Sequence, residues 1–248
     1  ALESVRFVRE KAAQFRRSLL HAAFAGPLSR LGADTPSRGG PRLIRLGEVV
    51  SSVRNGITYK NAPDSGGLPI ARIQTIANGA IDFAKVGYAG LEEVEAKHLL
   101  EPGDILFSHI NSQAHVGKVA LYRPEMQALV HGMNLLRLRP KDSMHPTYLF
   151  YALQSAEVRD QVWARTRHAV NQASINIKAL SEVRIPAPPT ADQQRIVEIL
   201  DEQLSRLDAS MTVADQIEER SASLRRSLLH AAFTGRLTEQ WRQEHAHV

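Results

Sequence analysis

Three polar stretches gather the side chains that grip and read nucleic acids. SHINSQAHVGK (108–118) offers Ser108, His109, Asn111, Ser112, Gln113, His115 and Lys118. ARTRHAVNQASIN (164–176) offers Arg165, Arg167, His168, Asn171, Gln172 and Ser174. SVRNGITYKN (52–61) offers Arg54, Asn55, Tyr59 and Lys60, and Arg72 and Gln74 follow. Arg and Lys neutralise phosphates, while Arg, Asn and Gln pair with base edges through two hydrogen bonds at once. Any one of these loops alone would pass for ordinary solvated surface. Two of them lie in residues 105–190, which hold ten Lys/Arg against five Asp/Glu. A basic surplus confined to one block is what a polyanion-binding surface needs.

Bond-making chemistry finds no comparable support. Gly117-Lys118 resembles the end of a phosphate-binding loop, but Ser112 stands where that loop needs Gly and Val119 where it needs Ser or Thr. There is no G-x-G-x-x-G and no H-E-x-x-H, and the ten His are scattered. The absence of Cys removes thiolate nucleophiles, thiolate zinc sites and disulfides together. Asp104, after Pro102-Gly103, is the one carboxylate placed like a nuclease residue, but Lys118 lacks an acid two positions before it, since Val116 is there. PAPPT (186–190) puts Ala187 and Thr190 at the key places of an adenine methyltransferase turn and fails that pattern. The expectation is therefore a binding protein with no catalytic residue, no metal and no cofactor. The competing readings are a nuclease using Asp104 and a coiled-coil adaptor that binds only protein.

The elements that would position these loops can be read from periodicity. Val5, Val8, Ala12, Phe15, Leu19 and Ala22 step by 3 and 4, a heptad seam that predicts a helix over 1–25, capped at Gly26 and stopped by Pro27. Ile196, Leu200, Leu204, Leu207, Met211, Ala214, Ile217, Ser221, Leu224 and Leu228 keep the same spacing, with no Gly or Pro until Gly235. That predicts a helix of some 44 residues, about 65 Å long, whose stripe wants a second long helix beside it. Between them VVSSV, LPIARI, DILFSHI, KVALY and NLLRLRP read as short strands, and HPTYLFYALQSAEVRDQVWAR as one helix with Pro146 in its first turn. The fold class is α+β: a globular domain of short strands flanked by long helices that form an antiparallel coiled coil.

RRSLLHAAF occurs twice, at 16–24 and 225–233, an offset of 209 positions. A helix end recurring at that distance predicts one period of a two-period protein, with the chain beginning inside the first helix; Ala1, not Met, opens it. No apolar run approaches the roughly 20 residues of a membrane span, no secretory signal is visible, and a chain without Cys suits a reducing compartment. The cytoplasm is the expected location.

The residues resemble the specificity (S) subunit of type I restriction-modification systems. VNQASINIKALSEVRIPAPPTADQQRIVEILD (170–201) is similar to that family's join between a target-recognition domain and a conserved helix. LEPGDILFSHINSQAHVGKVALY (100–122) resembles its strand-loop-strand core, YLFYALQS (148–155) a helix, LRRSLLHAAFTGRL (224–237) a helix end, and LPIARIQTIANGAIDF (68–83) also fits. The resemblance implies a non-catalytic subunit that reads half of a bipartite double-stranded DNA target from the major groove. Its helices would set the spacing and dock adenine methyltransferase (modification) subunits, which use S-adenosylmethionine, alongside a restriction motor-nuclease subunit. It implies the end of one conserved helix at 1–26, a linker at 27–42, a target-recognition domain at 43–188, a long conserved helix at 191–235 and a tail at 236–248. Base readers are then expected in 108–118 and 165–174, supported by Arg54, Lys60, Arg72 and Gln74. Heptads left unmatched on the long helix predict a homodimer through it.

Overall fold

The computed structural model describes residues 2–25, 42–60, 66–77, 79–170 and 172–244. The expected Gly26 cap, Pro27 and almost all of the linker lie outside them. The chain forms two compact units, Arg17–Leu200 and Ala1–Arg16 with Asp201–Val248.

In chain order the elements begin with α1 (Leu2–Phe24), β1 (Leu43–Arg45), α2 (Leu46–Val49), β2 (Val50–Asn55) and β3 (Gly67–Ala71). There follow β4 (Ile76–Ala77), β5 (Ala80–Ile81), β6 (Gly87–Gly90), β7 (Ile105–Ser108), β8 (Ile110–Asn111), β9 (Val119–Leu121), β10 (Val130–His131) and β11 (Leu135–Pro140). Next come α3 (Pro146–Ala152), α4 (Ala156–Arg165), β12 (Arg167–Ala169), β13 (Gln172–Ser174), α5 (Ile177–Ser181) and β14 (Arg184–Pro186). The chain closes with α6 (Thr190–Phe233) and α7 (Glu239–Glu244).

In the larger unit, four of the five expected strands build an antiparallel sheet of order β2-β11-β7-β9, and LPIARI forms β3 outside it. β7 lies inside it, and Ile105, Leu106 and Phe107 are all buried. That is why its sequence is a continuous apolar run and not an alternation. Leu106, Ala120 and Leu135 share a core cluster with Ala71, Ile76 and Leu129 from neighbouring elements. A second sheet has order β10-β3-β6, with β10 parallel to β3. The two sheets meet at Gly56, whose N–H donates to the Leu135 carbonyl at 3.1 Å, and at Ile57, whose N–H donates to that of His131 at 2.9 Å. Gly56 is required there, because a Cβ would stand 2.2 Å from the His131 oxygen.

The segment expected as one helix over 145–165 is two. Ser155 separates α3 from α4: its hydroxyl donates to the Ala152 carbonyl at 2.9 Å and accepts from the Val158 N–H at 3.4 Å. A buried Ser that closes one helix and caps the next breaks a periodicity that reads as continuous. Residues 17–24 of α1 pack on this part of the unit. Leu20, Ala23 and Phe24 are buried, and the Phe24 ring meets Tyr148 edge-on at 5.2 Å between centroids. The seam drawn through Leu19 and Ala22 is thus displaced by one position, because this end of α1 faces a globular domain and not a second helix. The start of α6 is clamped by buried Gln193. Its Oε1 accepts from the His145 N–H at 2.8 Å, and its Nε2 donates to the carbonyls of Pro188 and Ser143 at 2.8 and 3.3 Å.

In the smaller unit, α1 runs antiparallel to α6. Arg9 pairs with Asp215 and Glu218 at 2.8 and 2.6 Å, and Arg16 with Asp208 at 3.4 Å, so partner numbers fall as α1 advances. Val5, Leu204 and Ala214 are buried, while Val8, Phe15, Ile217, Leu224 and Leu228 stay exposed. α6 has 44 residues, about 66 Å at 1.5 Å per residue. Gly235, at φ +72°, adopts the left-handed conformation just past its end.

Candidate nucleic-acid interface

Main-chain pairing unites two of the three polar loops. β13 lies between β8 and β12: Ala173 and Ser174 face Asn111 and Ile110, while Ala169, His168 and Arg167 face Gln172, Ala173 and Ser174. The stretches 108–118 and 165–174, distant in sequence, therefore belong to one small sheet. β12 is its outer strand, and Arg167, His168 and Ala169 are exposed. The His168 ring packs on Trp163 of α4 at 4.3 Å between centroids. Arg165 is exposed and donates to the Gln161 carbonyl at 3.0 Å. Asn171, one of the expected readers, lies outside the described residues.

The polar residues of 108–118 divide by role. Asn111 spends its side chain on the loop, donating to Ser108 Oγ at 3.0 Å and accepting from the Ser112 N–H at 2.8 Å. Ser108 and His109 are buried, and burial holds the His109 imidazole below its ordinary pKa. Gly117 turns the chain at φ +82°. Lys118 is half-buried, and Ser112, Gln113 and His115 remain exposed. Gln113 lines a cavity of roughly 340 Å³ with Arg17, Arg159 and Trp163.

From the third stretch, Asn55 at the end of β2 joins His109 and Ser174 in a cleft closed by Asn176 and Lys178. Arg54 is exposed, and its residue faces Arg137 across the β2–β11 ladder. Lys60 is exposed, while Tyr59 packs against Ile57, Ile70, Ala89 and Val130. Arg72 is half-buried: it donates to the Lys85 carbonyl at 3.4 Å, and its guanidinium lies over Gly87. Gln74 is exposed on the turn after Arg72. Neither residue lines the Asn55 cleft.

Sequence reasoning passed over Trp163, Arg159, Asn176 and Lys178. Trp163 carried a usable signal, since an exposed indole two residues before Arg165 is costly to leave without a task.

Asp104 has the surroundings of a structural residue. It is 1% exposed; Oδ1 and Oδ2 accept from Arg139 Nε and Nη2 at 2.8 Å each, and Oδ2 also accepts from the Glu101 N–H at 2.7 Å. Those three bonds take up most of the acceptor capacity of the carboxylate. Among the described residues no group of three or more His, Asp or Glu is placed to hold a metal.

The family model described as type I restriction modification DNA specificity domain matches residues 42–219. A protein of Methanocaldococcus jannaschii, assigned as the MjaX specificity subunit of a type I restriction enzyme, is 44% identical over 160 residues, covering 62% of this chain and 37% of that protein. The type I restriction enzyme EcoKI specificity subunit of Escherichia coli K12 is 26% identical over 235 residues, covering 93% and 51%. The crystal structure of the HsdS subunit from Thermoanaerobacter tengcongensis aligns with a TM-score of 0.54 and 28% identity, covering 94% of this chain and 55% of that one. The chain spans about half of the length of these relatives, or less.

Proposed function

Because the chain belongs to the family of type I restriction-modification DNA specificity domains, we propose that it reads one half of a bipartite target in double-stranded DNA and makes or breaks no bonds itself. The observation that carries this reading is the β8-β13-β12 sheet, which draws two loops rich in Arg, Asn and Gln together on an exposed edge. A short β-ribbon of this kind fits the major groove, where all four base pairs present distinct donor and acceptor patterns. Gln113, Arg165, Arg167, His168, Asn171 and Gln172 are the proposed readers, with Ser112, Lys118, Asn55, Arg54, Lys60 and Gln74 contributing base or phosphate contacts. Ser108, His109, Asn111, Tyr59 and Arg72 hold the loops in shape.

The proposed division of the chain is a helix end at 1–26, a linker at 27–42, a recognition domain at 43–188, a long helix at 191–235 and a tail at 236–248. The helices dock adenine methyltransferase subunits and, through the assembled complex, a restriction motor-nuclease subunit. The exposed stripe Ile217, Leu224 and Leu228 supports a homodimer through the long helices. The complex acts in the cytoplasm; among the described residues no helix is long and apolar enough to cross a membrane.

Methylome sequencing of cells with and without the gene tests the reading. A split motif whose adenine methylation disappears with the gene is the expected result. An unchanged methylome, with active modification subunits present, would refute it.

A further inference from the structure

Trp163 stands where the two reading loops converge. It lies in the last turn of α4 with 47% exposure, and the His168 ring of β12 packs on it at 4.3 Å between centroids, tilted by 53°. The same residue lines the cavity that Gln113 and Gly117 of the other loop also line. The turn from Trp163 to His168 is pinned at buried Thr166. Its N–H donates to the Trp163 carbonyl at 3.1 Å and its hydroxyl to the Val162 carbonyl at 2.8 Å. Beyond that turn β12 has little to hold it. Among the described residues it pairs only with β13, and Arg167, His168 and Ala169 are exposed. Residues paired across strands share a face, and successive residues alternate. Arg167 pairs with Ser174, and His168 with Ala173, which is buried. Arg167 and His168 therefore leave the strand on opposite faces, His168 on the one turned towards the domain. The lean of the ribbon decides where both side chains come to rest.

We propose that Trp163 is a positioning residue for sequence specificity: by packing on His168 it fixes the lean of the β12–β13 ribbon, and so aims Arg167 at its base. Trp163 itself touches no base. The inference rests on the DNA-reading function proposed above and adds the group that holds the reader in place. An Arg that pairs with a base edge through two hydrogen bonds must present both donors along one line. An outer strand free to rock in solvent would offer that line only part of the time. Fixing the orientation before DNA arrives removes the ordering cost from the binding step. An indole suits the task, being wide, rigid and limited to two side-chain torsions. Half-exposed as it is, Trp163 contributes less to the core than to what leans on it. The prop acts on direction and not on charge, so its loss should leave phosphate contacts alone. Base discrimination and general affinity separate at this residue.

Binding of the assembled complex, methylation subunits included, to the target motif and to duplexes with single-base changes tests the role. Trp163→Ala should lower discrimination about tenfold at the base position that Arg167→Ala relaxes. Affinity for unrelated duplex and the salt slope should stay as in the wild type. Trp163→Phe, which keeps a ring against His168, should retain most of the preference. In a His168→Ala background Trp163→Ala should add no further loss, since the two act as one unit. Trp163→Gln carries the same test if the alanine variant fails to fold. Four results overturn the positioning role and leave the DNA reading standing: a preference as sharp as the wild type's, uniform weakening on all duplexes, relaxation only where Arg167→Ala has no effect, or an undiminished effect of Trp163→Ala without His168. A wild-type complex with no sequence preference removes both.

Discussion

The Arg139 guanidinium grips both carboxylate oxygens of Asp104, Nε to Oδ1 and Nη2 to Oδ2, at 2.8 Å each. The pair joins the start of β7 to the end of β11, and Arg137 Nε lies 4.0 Å from the same carboxylate. Breaking a buried pair from one side leaves an uncompensated charge. Asp104→Ala should therefore lower stability by about 3 kcal/mol, near the low end of the usual cost because Arg139 is partly exposed and also bonds Glu101. Urea denaturation checks this. A folded Asp104→Asn chain should still direct methylation in the assembled complex, whereas a nuclease role for Asp104 would require metal-dependent cleavage by the wild-type chain.

His131 gives the fold an acid limit. Burial pushes its pKa from 6.5 down to about 4, against a smaller upward effect of its hydrogen bond to the Arg54 carbonyl. The unfolded chain then binds the proton more readily than the folded one. Stability from this group is complete above about pH 6.5, declines as pH falls towards 4, and levels off below that. The loss across the window is on the order of 3 kcal/mol. Comparing urea midpoints of wild type and His131→Gln at pH 7 and 4.5 measures it; the variant should show a smaller decline.

Gly56→Ala should be among the most damaging single-atom additions in the recognition domain. The atoms in the way are the backbone carbonyls of His131 and Gly132, at 2.2 and 2.3 Å from the added carbon. A backbone obstacle cannot rotate aside, so the two sheets must separate at their junction. A loss of about 3 kcal/mol or more is expected, read as a fall in thermal midpoint and loss of protection at the Ile57 amide by hydrogen exchange.

The interface loops make separable predictions. Arg167→Ala and Gln113→Ala should each cost about 1–3 kcal/mol at one base position and relax the preference there. Lys118→Ala should weaken all sequences alike and reduce the salt slope by about 1. Binding of the assembled complex to single-base target variants at several salt concentrations distinguishes the two classes. Intact target binding by both Arg167→Ala and Gln113→Ala would remove the site assignment.

Sequence periodicity exposed the elements whose residues carry their own pattern. β2, β9 and β11 carry β-branched or alternating residues, β7 is a continuous apolar run, and α6 repeats its apolar stripe over many turns. β4, β5, β8 and β10 are two residues each, too short to hold a period. Their existence depends on partners elsewhere in the chain, as with Val130 beside Ile70. The candidate loops were recognisable by residue type, but not the division of labour within them. Whether Asn111 reads a base or braces its own turn depends on where Ser108 Oγ lies, and composition does not contain that distance. Composition is equally silent on Arg72, whose neighbours across the chain, Lys85 and Gly87, engage it.

The β8-β13-β12 ladder is held by main-chain pairing, and Arg167, His168 and Gln172 project from it into solvent. Such a scaffold is indifferent to the identity of those side chains. On the reading proposed above, a lineage could rewrite the word, letter by letter, while the grammar of the domain stayed fixed. The same tolerance would let a designer retarget the module through outward positions alone, leaving Asn111 and Gly117 untouched.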